Sequence, residues 1–203
     1  MGTLFPGVGT CKRAVRPLPH VLVGATSRHE RKAPSSKMIH EVTGDILLSS
    51  AQAMAHGVAP NDHFDSGLAL ALRERWPAMA KDFRHYAHQE HPKPGGVWFW
   101  GGAGGVRIFN LMTQEGSHER GSRPGKATVS NVRHAFQALA KVLKEEGIES
   151  LALPRVATGV GGLGWDEVRP VMEETLGGAG IPIYVYTRYE SGVAAEEPGL
   201  TRS

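Results

Sequence analysis

The pattern of apolar and polar positions becomes regular at Ile39. From there, short apolar runs alternate with stretches in which apolar residues recur every three or four positions. The short runs predict buried strands and the periodic stretches predict helices, so the alternation indicates a layered α/β fold. Strands are predicted over 39–42, 53–56, 97–100, 106–112, 151–153 and 183–186, and helices over 66–76, 77–87, 129–146 and 165–176.

The helix that begins at residue 129 has the clearest pattern. Its apolar stripe consists of Val129, Val132, Phe136, Leu139 and Leu143. Gly147 supplies the residue type that commonly follows the last turn of a helix. The glycine-rich stretch 101–105 lies between two apolar runs and predicts a hairpin.

Composition narrows the class of protein. Of 203 residues, 40% are hydrophobic and 21% are charged, which is typical of one folded globular domain. No apolar run approaches the roughly 20 residues of a membrane helix. The single cysteine, Cys11, excludes an internal disulfide framework and a thiolate metal cluster. We therefore expect a cytoplasmic protein without membrane contact.

Charge divides the chain into segments. The formal net charge is +3, but residues 1–37 carry +6 and residues 38–203 therefore carry −3. We expect a basic, disordered extension over 1–37, one folded domain over 38–189 and a flexible tail over 190–203, which is rich in Ala, Glu, Gly and Pro. Because the positive charge lies in the extension, a nucleic-acid partner is weakly supported for the domain itself.

The most informative segment leaves a predicted strand at Leu153, offers four glycines over 159–164 and enters a helix at Trp165. Glycines permit close backbone approach, so consecutive N–H groups can converge on an anion, and the helix adds its positive end. This arrangement is typical of a phosphate site, although a tight connection is the alternative. It matches neither the nucleoside-triphosphate loop nor the dinucleotide-binding motif.

Two further loops agree with a phosphate site. Residues 61–68 also run from a buried strand into a helix, with a capping residue and a glycine at its start. Two such loops can hold a diphosphate at the carboxyl edge of an open sheet. Asp45 follows the first strand, where its carboxylate can accept a hydrogen bond from an exocyclic amine; a turn or cap role is the alternative.

In this order and spacing, the segments resemble the macrodomain, a module that binds ADP-ribose. The resemblance covers about residues 38–189. It is carried by Val42-Thr43-Gly44-Asp45-Ile46-Leu47, by Ala55-His56-Gly57-Val58 with Asp65-Ser66-Gly67-Leu68-Ala69, by Leu153-Pro154-Arg155 with Gly159-Val160-Gly161-Gly162-Leu163 and Trp165, and by Val185-Tyr186. It implies a three-layer α/β/α fold with a mixed six-stranded sheet.

The resemblance also implies ligand contacts. Asp45 would bind the adenine amine, the Ile46 N–H would bind a ring nitrogen, and Tyr186 would stack on the adenine, with a role at the edge of the core as the alternative for Tyr186. The two loops would hold the diphosphate and reach the distal ribose through Ser66, Gly67, Leu68, Ala157, Thr158, Gly159, Val160, Gly161, Gly162 and Leu163.

The sequence departs from the family in its catalytic groups. It is most similar to the branch that contains terminal ADP-ribose glycohydrolases and ADP-ribose-1″-phosphate phosphatases. The resemblance places the glycohydrolase lysine at Gln114 and the catalytic aspartate at Gly161, so both groups are missing. His56 and Asp65 remain as candidate catalytic residues. A buried histidine with a structural role is the alternative for His56.

Other polar features are less specific. The glycine-rich loop 114–125 is a candidate lid whose Arg120 or Arg123 reaches a terminal phosphate, or else a solvated connection. His63 and His118 lie in loops that flank the same site, but their spacing is irregular. We expect neither a metal nor a cofactor.

The sequence thus predicts a monomeric protein that binds ADP-ribose or a derivative, with ADP-ribose-1″-phosphate as a substrate to test. One alternative is a hydrolase that removes ADP-ribose from modified macromolecules. A second alternative is a module that binds RNA or poly(ADP-ribose), which is supported only by the basic extension.

Overall fold

The computed structural model describes residues 38–117 and 124–201. The strands are β1 (Ile39–Gly44), β2 (Ala53–Val58), β3 (Val97–Gly101), β4 (Arg107–Met112), β5 (Leu151–Pro154) and β6 (Ile183–Tyr189). The helices are α1 (Gly67–Arg75), α2 (Pro77–Glu90), α3 (Val129–Glu145) and α4 (Trp165–Leu176). Short 3-10 turns occupy Ile46–Leu48 and Ala103–Gly105.

The strands form one six-stranded sheet in the order β1-β6-β5-β2-β4-β3. Five strands are parallel, and β3 runs antiparallel to β4 in the predicted hairpin. The expected mixed six-stranded sheet is therefore confirmed. Because the five parallel strands point the same way, the loops that follow them gather at one edge of the sheet, where open α/β sheets place their ligands.

Helices cover both faces of the sheet. The face toward α3 and α4 buries Phe136, Leu139 and Met172 against one set of strand residues. The opposite face buries Leu72, Met79 and Phe83, from α1 and α2, against the alternate strand residues. Two separate apolar clusters with the sheet between them make the three layers that were expected.

Local sequence signals explain the helix ends. The Thr128 hydroxyl caps α3 by accepting the N–H of Asn131 at 3.1 Å. Gly147, just beyond α3, has φ of +61°, a conformation that glycine adopts readily. Pro77 occupies the first turn of α2, where its missing N–H costs no helical hydrogen bond.

Residues 190–201, where a flexible tail is expected, make hydrogen bonds with the rest of the domain. The carbonyl of Val193 accepts the N–H of Asp45 at 2.6 Å, and the carbonyl of Pro198 accepts the hydroxyl of Tyr184 at 2.6 Å. Ala195 is buried. Composition predicted flexibility because the segment has few apolar residues, whereas hydrogen bonds hold it in place.

Residues 1–37 lie outside the described part of the chain, so the expected disordered extension stays a prediction. Among the residues that are described, no helix is both long and apolar enough to cross a membrane.

Candidate functional site

A cleft of about 300 Å³ opens at the carboxyl edge of the sheet, between the start of α1 and the loop that follows β5. It brings together both glycine-containing loops of the sequence analysis. Its lining comprises His56, Gly57, Asp62, Ser66, Gly67, Leu68, Ala69, Gln114, Pro124, Pro154, Arg155, Val156, Ala157, Gly159, Val160 and Gly161. Of the expected diphosphate contacts, Thr158, Gly162 and Leu163 lie in the same loop but do not line the cleft.

The loop after β5, residues 155–164, is held by its own hydrogen bonds. The N–H groups of Gly162 and Leu163 donate to the carbonyls of Gly159 and Ala157, each at 3.1 Å. The Thr158 hydroxyl donates to the Arg155 carbonyl at 2.8 Å. These bonds explain why Thr158, Gly162 and Leu163 shape the loop rather than face the cleft.

Three consecutive N–H groups in this loop lack a partner within the described part of the chain. The backbone N–H groups of Gly159, Val160 and Gly161 donate to no other described residue, and all three residues line the cleft. Unbonded amides in a fixed turn form a concave site that favours an anion. The loop therefore offers free donors beside the cleft, and their contact with a diphosphate stays a prediction.

The N-terminus of α1 faces the same cleft. The first-turn N–H groups of a helix have no partner within the helix, and the side chain of Ser66, at the N-cap position, makes no capping hydrogen bond. Gly67, Leu68 and Ala69 line the cleft beside it. The partial positive charge at this helix end favours a negatively charged group.

The loop that leads into α1 is organised by Asp62, whose role the sequence analysis missed. The buried Asp62 carboxylate accepts the N–H groups of Phe64 at 2.8 Å and Ala59 at 3.1 Å. Phe64 takes a positive φ of 56° and packs edge-on against Phe83. An aspartate that bonds the N–H two residues later is a recognised turn signal, so Asp62 was detectable in the sequence.

His56 lies at the floor of the cleft with 1% of its surface exposed. Its Nε2 lies 2.7 Å from Oδ1 of Asn110, and the Asn110 amide nitrogen donates to the Trp98 carbonyl at 3.4 Å. This orientation of the amide makes Nε2 the protonated nitrogen. Burial lowers the pKa of His56 to about 4, so the ring is neutral near pH 7. The geometry therefore favours the structural role over that of a general acid.

Asp65 does not line the cleft. Its exposed carboxylate forms an ion pair with Arg73, which also donates to the carbonyl of His63 at 3.1 Å. His63 is likewise exposed. The structure therefore keeps these two candidates at the outer side of the loop, and Asp65 as a catalytic residue stays an untested prediction.

The positions of the two missing catalytic groups are close to the cleft. Gln114 is buried, lines the cleft and donates its side-chain amide to the Gly125 carbonyl at 3.4 Å. At Gly161, a Cβ atom would lie 2.6 Å from the Ala157 carbonyl oxygen and 2.9 Å from the Cβ of Ala127. The backbone at 161 thus has no room for the aspartate of the glycohydrolases.

The expected base-binding residues lie outside this cleft lining. Asp45, Ile46 and Tyr186 are 9%, 5% and 6% exposed. The Asp45 carboxylate accepts the N–H groups of Leu47 at 3.0 Å and Gly192 at 3.2 Å. Burial raises the pKa of Tyr186, and its hydroxyl, which donates to Glu197 at 2.9 Å, stays protonated.

Three candidate residues belong to the loop 114–125. His118, Arg120 and Arg123 lie outside the described residues, so the lid over 114–125 stays a prediction. In the described ranges, no three His, Cys, Asp or Glu side chains lie close enough together to hold a metal ion.

Comparison with known proteins identifies relatives of this chain. The family model of the Macro domain matches residues 59–172. The human ADP-ribose glycohydrolase OARD1 is 22% identical over 155 residues, which cover 76% of this chain and 94% of that protein. A DNA ADP-ribosyl transferase–DNA ADP-ribosyl glycohydrolase fusion protein of Thermosipho africanus is 32% identical over 164 residues, covering 75% of this chain and 42% of the fusion.

Solved structures agree on the fold. The macrodomain of Thermus aquaticus DarG superposes with a TM-score of 0.65 at 23% identity and covers 74% of this chain and 98% of its own. A macrodomain protein of Streptomyces coelicolor has a TM-score of 0.59 at 25% identity, with coverage of 76% and 99%. Since the family model matches more than half of the sequence, this chain belongs to the macrodomain family.

Proposed function

We propose that this macrodomain binds ADP-ribose, either free or attached to a macromolecule, with the diphosphate held between the start of α1 and the loop 155–164. The observation that carries the proposal is the set of N–H groups at Gly159, Val160 and Gly161, which have no partner among the described residues and belong to residues that line the same cleft as the open N-terminus of α1. A structure of Thermosipho africanus DarTG in complex with ADP-ribose shares the fold, with a TM-score of 0.65.

The cleft suits a diphosphate because its donors are fixed before the ligand arrives. The loop is held by internal hydrogen bonds and the entry to α1 by Asp62, so little conformational entropy is lost on binding. Backbone N–H groups and a helix N-terminus bind a negatively charged group without the desolvation cost of a buried lysine or arginine. Binding of an ADP-ribose moiety in the micromolar range corresponds to about −8 kcal/mol.

Gly159→Glu tests this proposal. A Cβ atom at residue 159 meets nothing within 4 Å, so a larger side chain fits the fold and projects from a residue that lines the cleft. The added carboxylate would occupy and repel the diphosphate position. We expect the affinity for ADP-ribose, measured by calorimetry, to fall by at least about 100-fold.

Gly178→Glu is the matched control. Its Cβ position is equally open, and it follows the last turn of α4, whereas the loop 155–164 that lines the cleft precedes the first turn of that helix. The same change of charge at this position should leave the affinity for ADP-ribose unaltered. Equal affinities for the two variants and the unaltered protein would exclude the cleft as the binding site.

Hydrolysis of an ADP-ribosyl bond is the second candidate function. Two relatives named as glycohydrolases match most of this chain. Against it stand Gln114 and Gly161, where the resemblance places the catalytic lysine and aspartate. Hydrolysis by this chain would therefore need a positioned water rather than a lysine nucleophile.

Two substrates separate the remaining alternatives. ADP-ribose-1″-phosphate, if it is processed, releases inorganic phosphate. An ADP-ribosylated protein or DNA releases free ADP-ribose. A protein that binds ADP-ribose and releases neither product is a binding module, and we expect this result because both catalytic groups of the glycohydrolases are replaced.

A further inference from the structure

The C-terminal strap, residues 190–200, crosses the corner where β1 ends. The N–H of Glu190 donates to the Gly44 carbonyl at 3.2 Å, and the N–H of Asp45 donates to the Val193 carbonyl at 2.6 Å. The N–H of Gly192 in turn donates to Oδ2 of Asp45 at 3.2 Å. The strap thus bonds to both backbone and side chain at the position where the base was expected.

Glu197 fixes the far end of the strap. Its carboxylate accepts the hydroxyl of Ser49, the N–H of Ser50 at 2.7 Å and the hydroxyl of Tyr186 at 2.9 Å. Hydrogen bonds to a carboxylate are stronger than those between neutral groups. Glu197 therefore ties the strap to the turn after β1 and to β6 at the same time.

The sequence of β1 is adapted to the strap. Gly44 has φ of +153°, and a Cβ atom there would lie 2.6 Å from the Val193 carbonyl oxygen and 2.8 Å from the Ala195 nitrogen. Only glycine lets the two backbones approach so closely. The strap therefore packs against a position that no other residue type fits without a shift.

The strap covers two of the three groups that base recognition would use, Asp45 and Tyr186. Both oxygens of the Asp45 carboxylate already accept backbone N–H groups, one of them from the strap. Stacking needs an open ring face, and Tyr186 is 6% exposed with its hydroxyl bound to the strap. The diphosphate cleft, by contrast, remains open.

We infer that the strap withdraws Asp45 and Tyr186 from base recognition, so that the strapped domain selects its ligands by the diphosphate and distal ribose rather than by the base. The inference rests on the proposed function, because it concerns the same ligand. Release of the strap would uncover Asp45 and Tyr186 and confer a preference for adenine. The ligand class of the strapped form is thus the nucleoside diphosphate riboses in general.

The test compares ADP-ribose with inosine diphosphate ribose, whose base lacks the exocyclic amine that Asp45 would bind. For the full chain, we expect the two dissociation constants to agree within about threefold. Glu197→Ala removes all three bonds of Glu197. In that variant we expect ADP-ribose to bind at least about tenfold more tightly than the inosine analogue. Glu196→Ala is the matched control, because Glu196 is exposed and its substitution removes the same charge from the strap.

Amide hydrogen exchange at Asp45 reports whether the strap has opened, because this N–H is bonded to Val193. If Glu197→Ala fails to fold, Tyr186→Phe removes one bond to Glu197 and keeps the ring. Tenfold selectivity already in the full chain, or an open strap without any gain of selectivity, would refute the inference. Absence of binding to either ligand in every variant would instead refute the proposed function.

Discussion

At the scale of single residues, His56 shows how burial changes the chemistry that a side chain can perform. The sequence made it a candidate acid or base because an imidazole titrates near neutral pH. In the fold, Asn110 fixes the proton on Nε2 and burial lowers the pKa to about 4. The ring thus remains neutral and serves as part of the packing between β2 and Phe64.

This lowered pKa predicts a pH dependence of stability. The unfolded chain, with a histidine pKa near 6.5, binds a proton below that pH, while the folded protein does so only near pH 4. Stability therefore falls as the pH drops from about 6.5 toward 4. Through His56 alone, we expect the free energy of unfolding to be about 2 kcal/mol lower at pH 5 than at pH 7.

Urea unfolding at the two pH values measures the effect, with His56→Gln as the variant that removes the titrating group. The difference between pH 5 and pH 7 should shrink by about 2 kcal/mol in this variant. His63→Gln removes an exposed histidine and should leave the difference as it is in the unaltered protein. An unchanged difference in His56→Gln would show that His56 does not have a lowered pKa.

At the scale of elements, the loop 155–164 shows why one glycine is not equivalent to another. Gly161 is close to the Ala157 carbonyl and to Ala127, whose N–H donates to the Gly161 carbonyl at 3.0 Å. Gly159 is surrounded by open space. Packing requires a glycine at position 161, whereas position 159 leaves room for a ligand.

Alanine at each position separates these roles. Gly161→Ala forces the backbone of the loop to shift, and we expect the free energy of unfolding to fall by about 1–3 kcal/mol. Gly159→Ala should change it by no more than about 0.5 kcal/mol. Thermal or urea unfolding of both variants measures the contrast. Equal stability of the two would mean that the loop adopts another backbone conformation.

At the scale of the whole molecule, charge separates the domain from the segment that precedes it. Residues 1–37 carry a net charge of +6 and residues 38–203 carry −3. Deleting residues 1–37 should leave the affinity for ADP-ribose within about twofold of that of the full chain, since the cleft is built from residues beyond 55.

Binding of the full chain to RNA or poly(ADP-ribose), if present, should weaken on the same deletion and lose its dependence on salt, as measured by titration at two salt concentrations. Retention of salt-dependent RNA binding would assign that activity to the domain.

The sequence predicted most of the elements because their signals are local. The apolar stripe of α3, the proline at the start of α2 and the glycines between β3 and β4 each act within a few residues. The position of the cleft was also predictable, since the loops at Ser66 and Gly159 each follow a strand of a parallel sheet. Asp62 had a local turn signal and was overlooked.

Other features depend on residues far apart in the chain and had no local signal. Glu197 meets Ser49 across 148 positions, and Gly192 meets Asp45 across 147. The composition of 190–200 indicates flexibility because the segment has few apolar residues. Composition does not reveal the hydrogen-bond partners that these residues have elsewhere in the chain. The neutral state of His56 likewise depends on burial by residues from other parts of the chain, and Asn110 in a neighbouring strand fixes which ring nitrogen carries the proton.

The amino-acid sequence by itself determined the order of strands and helices, the family resemblance and the two loops that line the cleft, because periodicity, caps and glycines act over short distances. Only the tertiary structure decided which of the expected site residues are accessible. Burial and hydrogen bonding are set by what the rest of the chain places against a residue, and at Asp45 and His56 those neighbours come from distant segments.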